Sequence, residues 1–297
     1  MPDFEKYIEE REAYTRNRQE QLFTRLKVMQ DTLYLELSEK VISVLDTDDR
    51  GIIKFSTANT RKASKVLAVV RTFNASWNKG FLGWLYDRLA GLLNINRLFF
   101  RSIKATRDSV DDRVKKNLLL RYGFDINSNE IVPGGYLSAL ASNDLIALEA
   151  YRFIKASLGT MSQAKFRKEF RQLFINPGGV GLVERYYYRF VHDLFFEFDR
   201  EVQYEYADEL QLGYAIYSGT AKDNSRGFCL KRLNRIYSRK FIDSWNELNW
   251  QGKRPGVDVK IALGGYNCRH HLSWITKELA LQLAEDYGEI DRYNLAV

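Results

Sequence analysis

The sequence is poor in cysteine, in long apolar runs and in cofactor-binding motifs. Its 297 residues include two cysteines, too few for the disulfide framework that stabilises small secreted domains. We therefore expect both thiols to be free or to bind a ligand. No apolar run reaches the length of about 18 residues that spans a bilayer, so the sequence predicts no transmembrane helix and no membrane partner.

Motifs that bind nucleotides or catalytic metals are also missing. No glycine pair is followed by the Lys-Ser/Thr of a phosphate loop, and none belongs to the three-glycine dinucleotide motif. The paired glycines instead predict turns at Gly134–Gly135, Gly178–Gly179 and Gly264–Gly265. The sequence therefore predicts a non-enzymatic protein without a resident cofactor, apart from the zinc alternative described below.

The chain does contain enough apolar residues for a folded protein. The hydrophobic fraction is 45% and the aromatic fraction is 14%, which exclude disorder over the whole length. The first residues are acidic, unlike those of a signal or transit peptide. We therefore expect a soluble protein that stays in the cytoplasm where it is made.

The net charge of +7 is distributed unevenly. Residues 1–50 hold 8 basic and 12 acidic residues, residues 57–122 hold 14 and 4, and residues 221–271 hold 11 and 4. Two basic regions predict a polyanion partner, with solvated helix faces as the alternative. Contacts to phosphates of double-stranded DNA would not read the base sequence. The predicted contacts are Arg61, Lys62, Lys65, Arg97, Arg101, Lys104, Arg107, Lys115, Lys116, Arg232 and Arg235.

Helical spacing dominates the first 176 residues. A long helix from Phe4 to about Leu45 is predicted, as an arm, a coiled-coil partner or a core element. Its apolar face consists of Leu22, Leu26, Met29, Leu33, Leu37, Val41 and Leu45. Turn residues at 46–51 end it. Further helices are predicted over 59–122, with interruptions at 78–80 and 94–96 and an end at Gly123, and over 143–157 and 162–174.

The pattern changes after a break at 176–179. Residues 182–210 predict a long aromatic helix, residues 214–218 and 258–263 predict short strands, and residues 276–287 predict a last helix. The predicted fold class is a mainly α N-terminal region followed by a smaller α+β C-terminal domain. The predicted divisions are a long amphipathic helix or arm at 1–50, a helical domain at 51–176 and an α+β domain at 177–297.

The two cysteines lie in two short segments of the second half. We name Asp223–Cys229, which includes Arg226, the first Cys loop. We name Gly264–His271 the second Cys loop, and its distinctive residues are Asn267, Cys268, Arg269 and His270. Cysteine and histidine are rare in this chain, so their concentration in two loops marks the candidate site.

Three interpretations of these loops are open. Thiolates and imidazole suit Zn²⁺, with Cys229, Cys268, His270 and Asp223 as ligands. Cys229 has no second ligand two to four residues away, which favours a hydrogen-bonded loop with buried thiols instead. A nucleophilic thiol activated by His270 or His271 is the third interpretation.

The order and spacing of the two Cys loops resemble the C-terminal signature of the phage Mu F-like minor head proteins. The resemblance covers about the C-terminal half, including the helix at 182–210 and the strand at 214–218, with further likeness over 131–174. Two positions depart from the family pattern. Cys229 lacks a neighbouring cysteine or histidine, and His270 stands where the family usually has cysteine, which argues further against zinc.

This resemblance implies a minor head protein of a tailed phage, associated with the portal vertex or the head interior. Such proteins assist head assembly and DNA packaging or ejection. The implied partners are the portal protein, other virion proteins and DNA, with several copies in a symmetric assembly. The implied location is the virion, after assembly in the host cytoplasm.

Two alternatives accompany this interpretation. The family is distantly related to ADP-ribosyltransferases, which leaves an ADP-ribosyltransferase-like enzyme, or a thiol- or metal-dependent one. However, an Arg–Ser–Glu active-site pattern cannot be placed on this sequence. A cargo protein injected with the genome is the other alternative.

Overall fold

The structure is a computed structural model that describes residues 4–125, 132, 144–176 and 181–284, except for the side chains of 78–79 and 186–192. The α-helices in these residues are α1 (Phe4–Lys40), α2 (Thr57–Ser102), α3 (Asp108–Tyr122), α4 (Leu145–Ser157), α5 (Gln163–Phe174), α6 (Leu182–Glu209), α7 (Gly227–Leu230), α8 (Arg239–Ser244), α9 (Val259–Ala262) and α10 (Lys277–Leu283). The strands are β1 (Tyr214–Ser218), β2 (Arg235–Ser238) and β3 (His271–Ile275), and short 3₁₀ helices occur at Ile42–Val44 and Trp245–Glu247. The predicted fold class is confirmed.

The chain forms two compact units. The sheet unit consists of Met1–Glu20, Tyr86–Glu130 and His192–Val297, and the helical unit consists of Gln21–Leu85 and Ile131–Val191. Both units are discontinuous in sequence. The predicted division at residues 50 and 176 stays a prediction about which segments fold by themselves.

The helical unit is built from apolar helix faces. All seven apolar residues predicted to line one face of the first helix are buried. On α5, aromatic side chains recur every four residues, and Phe166, Phe170 and Phe174 are fully buried. The ring of Phe170 lies 5.8 Å from that of Phe153 and 6.3 Å from that of Tyr34. The predicted N-cap of α5 is confirmed, since the Ser162 side chain accepts a hydrogen bond from the Lys165 N–H at 3.3 Å.

The predicted interruptions of α2 at 78–80 and 94–96 are wrong, because α2 continues from Thr57 to Ser102. A glycine inside a helix costs about 1 kcal/mol, which a long packed helix tolerates. Asn96 does not break the helix, since its side chain is buried and donates to the Leu92 carbonyl at 2.9 Å. The predicted end of α3 is confirmed, with Gly123 in the left-handed conformation at φ 87°.

The first turns of α1 are a core element of the sheet unit and not an exposed arm. One side of these turns is buried, including Phe4, Ile8, Arg11 and Thr15. The Arg11 guanidinium donates to the Ser273 hydroxyl at 2.6 Å and lies 3.3 Å from the Asp199 carboxylate. The sequence missed this because charged residues at a helix start are usually solvated, whereas Arg11 has buried partners distant in sequence.

The sheet has three antiparallel strands in the order β2-β1-β3. The predicted strand at 214–218 is confirmed as the central strand β1. The predicted strand at 258–263 is wrong, because residues 259–262 form helix α9. Its first turn is capped by Asp258, which accepts from the Lys260 N–H at 2.8 Å. Both outer strands, β2 and β3, were missed because they are only four and five residues long.

Some predicted features lie outside the described residues. These are most of the turn region at 125–135, the break at 177–179, the predicted helix start at Asn143 and the end of the last helix at 287. Among the helices that the structure does describe, none is both long enough and apolar enough to cross a membrane.

Candidate functional site

The two Cys loops meet in one buried cluster within the sheet unit. The sulfur atoms of Cys229 and Cys268 are 3.9 Å apart, and the Cys268 sulfur is 3.6 Å from His270 Nδ1. The ligand atoms of these three residues all lie within 4.8 Å of one another. Asp223, the fourth predicted ligand, is exposed and does not belong to this group. The structure therefore brings together three of the four predicted ligands.

The second Cys loop is held in place by α6. The buried guanidinium of Arg200 donates to the backbone carbonyls of Cys268 at 3.2 Å and His270 at 3.0 Å. The Asp193 carboxylate accepts from the Asn267 N–H at 2.8 Å. Asn267 takes the left-handed conformation, with φ 59°. These contacts fix the backbone on both sides of the Cys268 thiol.

The first Cys loop begins α7 and is tied to the second loop through Trp250. Phe228, beside Cys229, stacks on the Trp250 ring with centroids 4.0 Å apart. The Trp250 indole N–H in turn donates to the Gly264 carbonyl at 3.0 Å. Two loops separated in sequence therefore share an aromatic support.

Gly264 is required by the close approach of the two thiols. A side-chain carbon at this position would collide with the Cys229 sulfur and lie 3.1 Å from the Cys268 sulfur. The Gly264 N–H also donates to the Cys268 sulfur at 3.3 Å. The sequence predicted a turn at Gly264–Gly265, but not that a sulfur atom packs against it.

The two thiols are electrostatically unequal. A hydrogen bond from Cys229 lowers the pKa of Cys268, and His270 and Arg200 add to this effect against the cost of burial. The hydrogen bond with Cys268 and burial raise the pKa of Cys229. Burial raises the pKa of Tyr217 well above its ordinary value, and the neighbouring sulfurs add to that shift. Cys268 is therefore the more acidic thiol.

The two adjacent histidines have different surroundings. His270 faces Cys268 through Nδ1, while its buried Nε2 has no hydrogen-bond partner among the described residues. His271 Nδ1 lies 2.7 Å from the buried carboxylate of Asp199. Burial alone would raise the pKa of Asp199, but Arg11 and His271 hold it below its ordinary value. His270 is therefore the histidine placed to act with the thiols.

A polar pocket of about 460 Å³ opens onto the cluster. Both cysteines and His270 line it, together with the basic residues Lys222, Arg226 and Arg269. Soft donor atoms at a pocket with cationic walls can bind a soft metal ion or a ligand with negative charge.

The eleven predicted polyanion contacts fall into two groups. Four are engaged within the protein, since Lys62 pairs with Asp46, Arg97 donates to Asn94, Arg101 pairs with Asp111, and Arg232 lies over the Phe228 ring. The other seven are exposed and make no ion pair in the part of the chain that is described: Arg61, Lys65, Lys104, Arg107, Lys115, Lys116 and Arg235.

Sequence reasoning missed the residues that support the cluster. The main ones are Arg200, Asp199 and Gln203 of α6, with Trp250 from the loop before α9. A signal existed, because Asp193, Arg200 and Gln203 recur at helical spacing among aromatic residues. Polar residues on an otherwise apolar helix face indicate buried partners.

No protein-family model, no curated protein and no solved structure matches this chain. The likeness to Mu F-like head proteins therefore rests on the residues of the two Cys loops and their surroundings, and it stays a hypothesis.

Proposed function

We propose that this protein is a minor head protein of a tailed phage, located at the portal vertex or in the head interior. There it assists head assembly and DNA packaging or ejection. The observation that carries the proposal is the meeting of the two Cys loops, with Cys229 and Cys268 in contact although 39 residues apart. Loops that form one site are what a conserved C-terminal module requires, so their resemblance to the family signature is more than shared composition.

The portal contact in this proposal involves the outer side of α1. The inner side of its first turns is buried in the sheet unit, while Glu9, Glu10 and Arg16 are exposed. A charged helix face with a fixed inner side offers a partner a preformed binding surface, which reduces the entropy cost of association.

The DNA contact in this proposal involves the seven exposed basic residues without an ion pair. Their attraction to phosphates gives affinity that is independent of base sequence and falls steeply with salt. Basic residues that are already paired with a carboxylate contribute less, because binding DNA would require breaking that pair.

The experiment that tests the proposal is co-expression with the portal protein of the same genome, followed by measurement of the mass of any complex. We expect a stoichiometric ring complex, and the Glu9→Lys/Glu10→Lys variant should weaken it. Glu278→Lys, on the exposed side of α10, is the matched control and should not. A monomer that does not associate with the portal protein would contradict the proposal and favour an injected cargo protein.

A second candidate is an enzyme, which the polar pocket beside the thiols favours. An ADP-ribosyltransferase-like enzyme would bind NAD and be stabilised by it. A rise in the melting temperature with NAD would support this candidate, and an unchanged melting temperature would remove it.

A further inference from the structure

We propose that Cys229, Cys268 and His270 form a three-ligand site for Zn²⁺, whose fourth coordination position opens to the polar pocket. The site goes beyond the proposed head function, because the metal content of the isolated protein does not depend on the portal protein.

The distances fit a tetrahedral zinc centre. With Zn–S near 2.3 Å and Zn–N near 2.0 Å, two sulfur ligands lie about 3.8 Å apart, and a sulfur and a nitrogen about 3.5 Å apart. The observed separations are 3.9 Å between the sulfurs and 3.6 Å between the Cys268 sulfur and His270 Nδ1. A disulfide would need a separation near 2.05 Å, and both cysteines are free. A single ion can therefore be reached by all three side chains with little movement.

The surroundings of the ligands are those of a supported metal site. Arg200 holds the backbone of both Cys268 and His270, so one buried residue orients two ligands. The Gly264 N–H donates to the Cys268 sulfur, which stabilises a thiolate. A histidine that binds through Nδ1 keeps its proton on Nε2, the atom that has no partner among the described residues.

The objection from sequence spacing does not hold for this fold. Closely spaced ligand pairs serve small zinc modules because the metal itself organises their loops. Here the loops are fixed by other contacts, since Arg200 holds the second loop and the stacked Phe228 and Trp250 join the first to it. Cys229 therefore needs no neighbouring ligand.

The fourth position is not supplied by the predicted ligand Asp223, which is exposed and outside the cluster. Instead the pocket of about 460 Å³ touches all three ligands. Three protein ligands with an open position are typical of zinc sites that bind water or a small ligand.

The test begins with the zinc content of the full chain, purified under reducing conditions. We expect about one zinc ion per chain. Cys229→Ser, Cys268→Ser and His270→Ala should each reduce the content at least tenfold, while the control Asp223→Ala should leave it unchanged. Loss of zinc in Asp223→Ala would overturn the open position.

Cobalt substitution avoids the risk that a variant fails to fold. Co²⁺ added to the zinc-depleted wild-type chain should give the intense visible absorption of tetrahedral thiolate coordination, and excess imidazole should shift it. A spectrum that imidazole does not change would mean a closed site. Absence of both bound zinc and a cobalt spectrum would overturn the proposal as a whole, without bearing on portal binding.

Discussion

The helical unit and the sheet unit are stabilised by different kinds of interaction. In the helical unit, apolar side chains at helical spacing pack against one another, as Phe166, Phe170 and Phe174 do on α5. In the sheet unit, charged residues such as Arg11 and Asp199 are buried beside the aromatic core. Apolar packing tolerates substitutions that keep volume, whereas a buried charge requires its particular partner.

The buried polar network also explains where the candidate site lies. Asp199 joins α1, α2 and β3 through Arg11, Asn96 and His271, and Gln203 continues the network to Asn96 and β3. Such networks specify one arrangement of the chain, because each polar group left without a partner is costly. The Cys loops are therefore attached to the part of the molecule whose geometry is most strictly determined.

The largest expected effect is that of Asp199→Ala. This change leaves Arg11 and His271 buried without their carboxylate partner, which should lower the free energy of unfolding by about 3–5 kcal/mol. Urea unfolding at neutral pH measures the difference from the wild type. A loss under about 1 kcal/mol would mean that the network is not the support of the sheet unit.

The same difference should depend on pH. The folded-state pKa of Asp199 is lowered, so the stability gained from its charge is fully present above the unfolded value of about 3.9 and is lost as the pH falls through the folded value. The gap between the wild type and Asp199→Ala should therefore narrow below about pH 4. Urea unfolding at a series of pH values measures it, and a gap that widens with acid would contradict this assignment.

A smaller effect is expected from Gly264→Ala. The added methyl group would press on both thiols, and overpacking of this kind costs about 1–3 kcal/mol. It should also abolish zinc binding. Gly227→Ala is the matched control, since a side-chain carbon at that position meets open space two residues from Cys229. Equal behaviour of the two variants in thermal unfolding and zinc analysis would contradict the close approach.

Phe170→Leu sharpens the comparison from the side of the helical unit. An apolar replacement in a core of aromatic rings should lower the free energy of unfolding by only about 1–1.5 kcal/mol, because the neighbouring rings can repack. Denaturant unfolding measures it. A loss as large as that of Asp199→Ala would show that both units depend equally on specific contacts.

The smallest effect concerns DNA. Replacing Lys115 and Lys116 by glutamine should reduce the salt dependence of DNA affinity by about one unit of slope per lysine, with no change in sequence preference. Lys40→Gln is the control, because Lys40 already pairs with Glu36 at 2.6 Å. Binding titrations at several salt concentrations measure the slope, and equal slopes for all three proteins would remove these lysines from the interface.

The sequence was most informative where structure follows local periodicity. The buried face of α1 from Leu22 to Leu45, the cap at Ser162 and the strand β1 were all predictable from spacing and residue type. The three clustered ligands were also named, because cysteine and histidine are rare in this chain.

The rest could not be predicted because it depends on partners distant in sequence. Arg11 resembles a solvated residue until Ser273 and Asp199 are placed beside it. Asn96 resembles a helix breaker until Asp199 and Gln203 bind its side chain. Such residues violate local rules, and the compensation lies in tertiary contacts.

The central claim is that two loops 39 residues apart form one site, and thiol crosslinking tests it most directly. The zinc-depleted, reduced protein is treated with dibromobimane, which fluoresces when it joins two nearby thiols, and the peptides are then mapped by mass spectrometry. We expect one intramolecular crosslink between Cys229 and Cys268 in the folded protein, and much less in urea. Singly modified thiols without a crosslink in the folded protein would contradict the account.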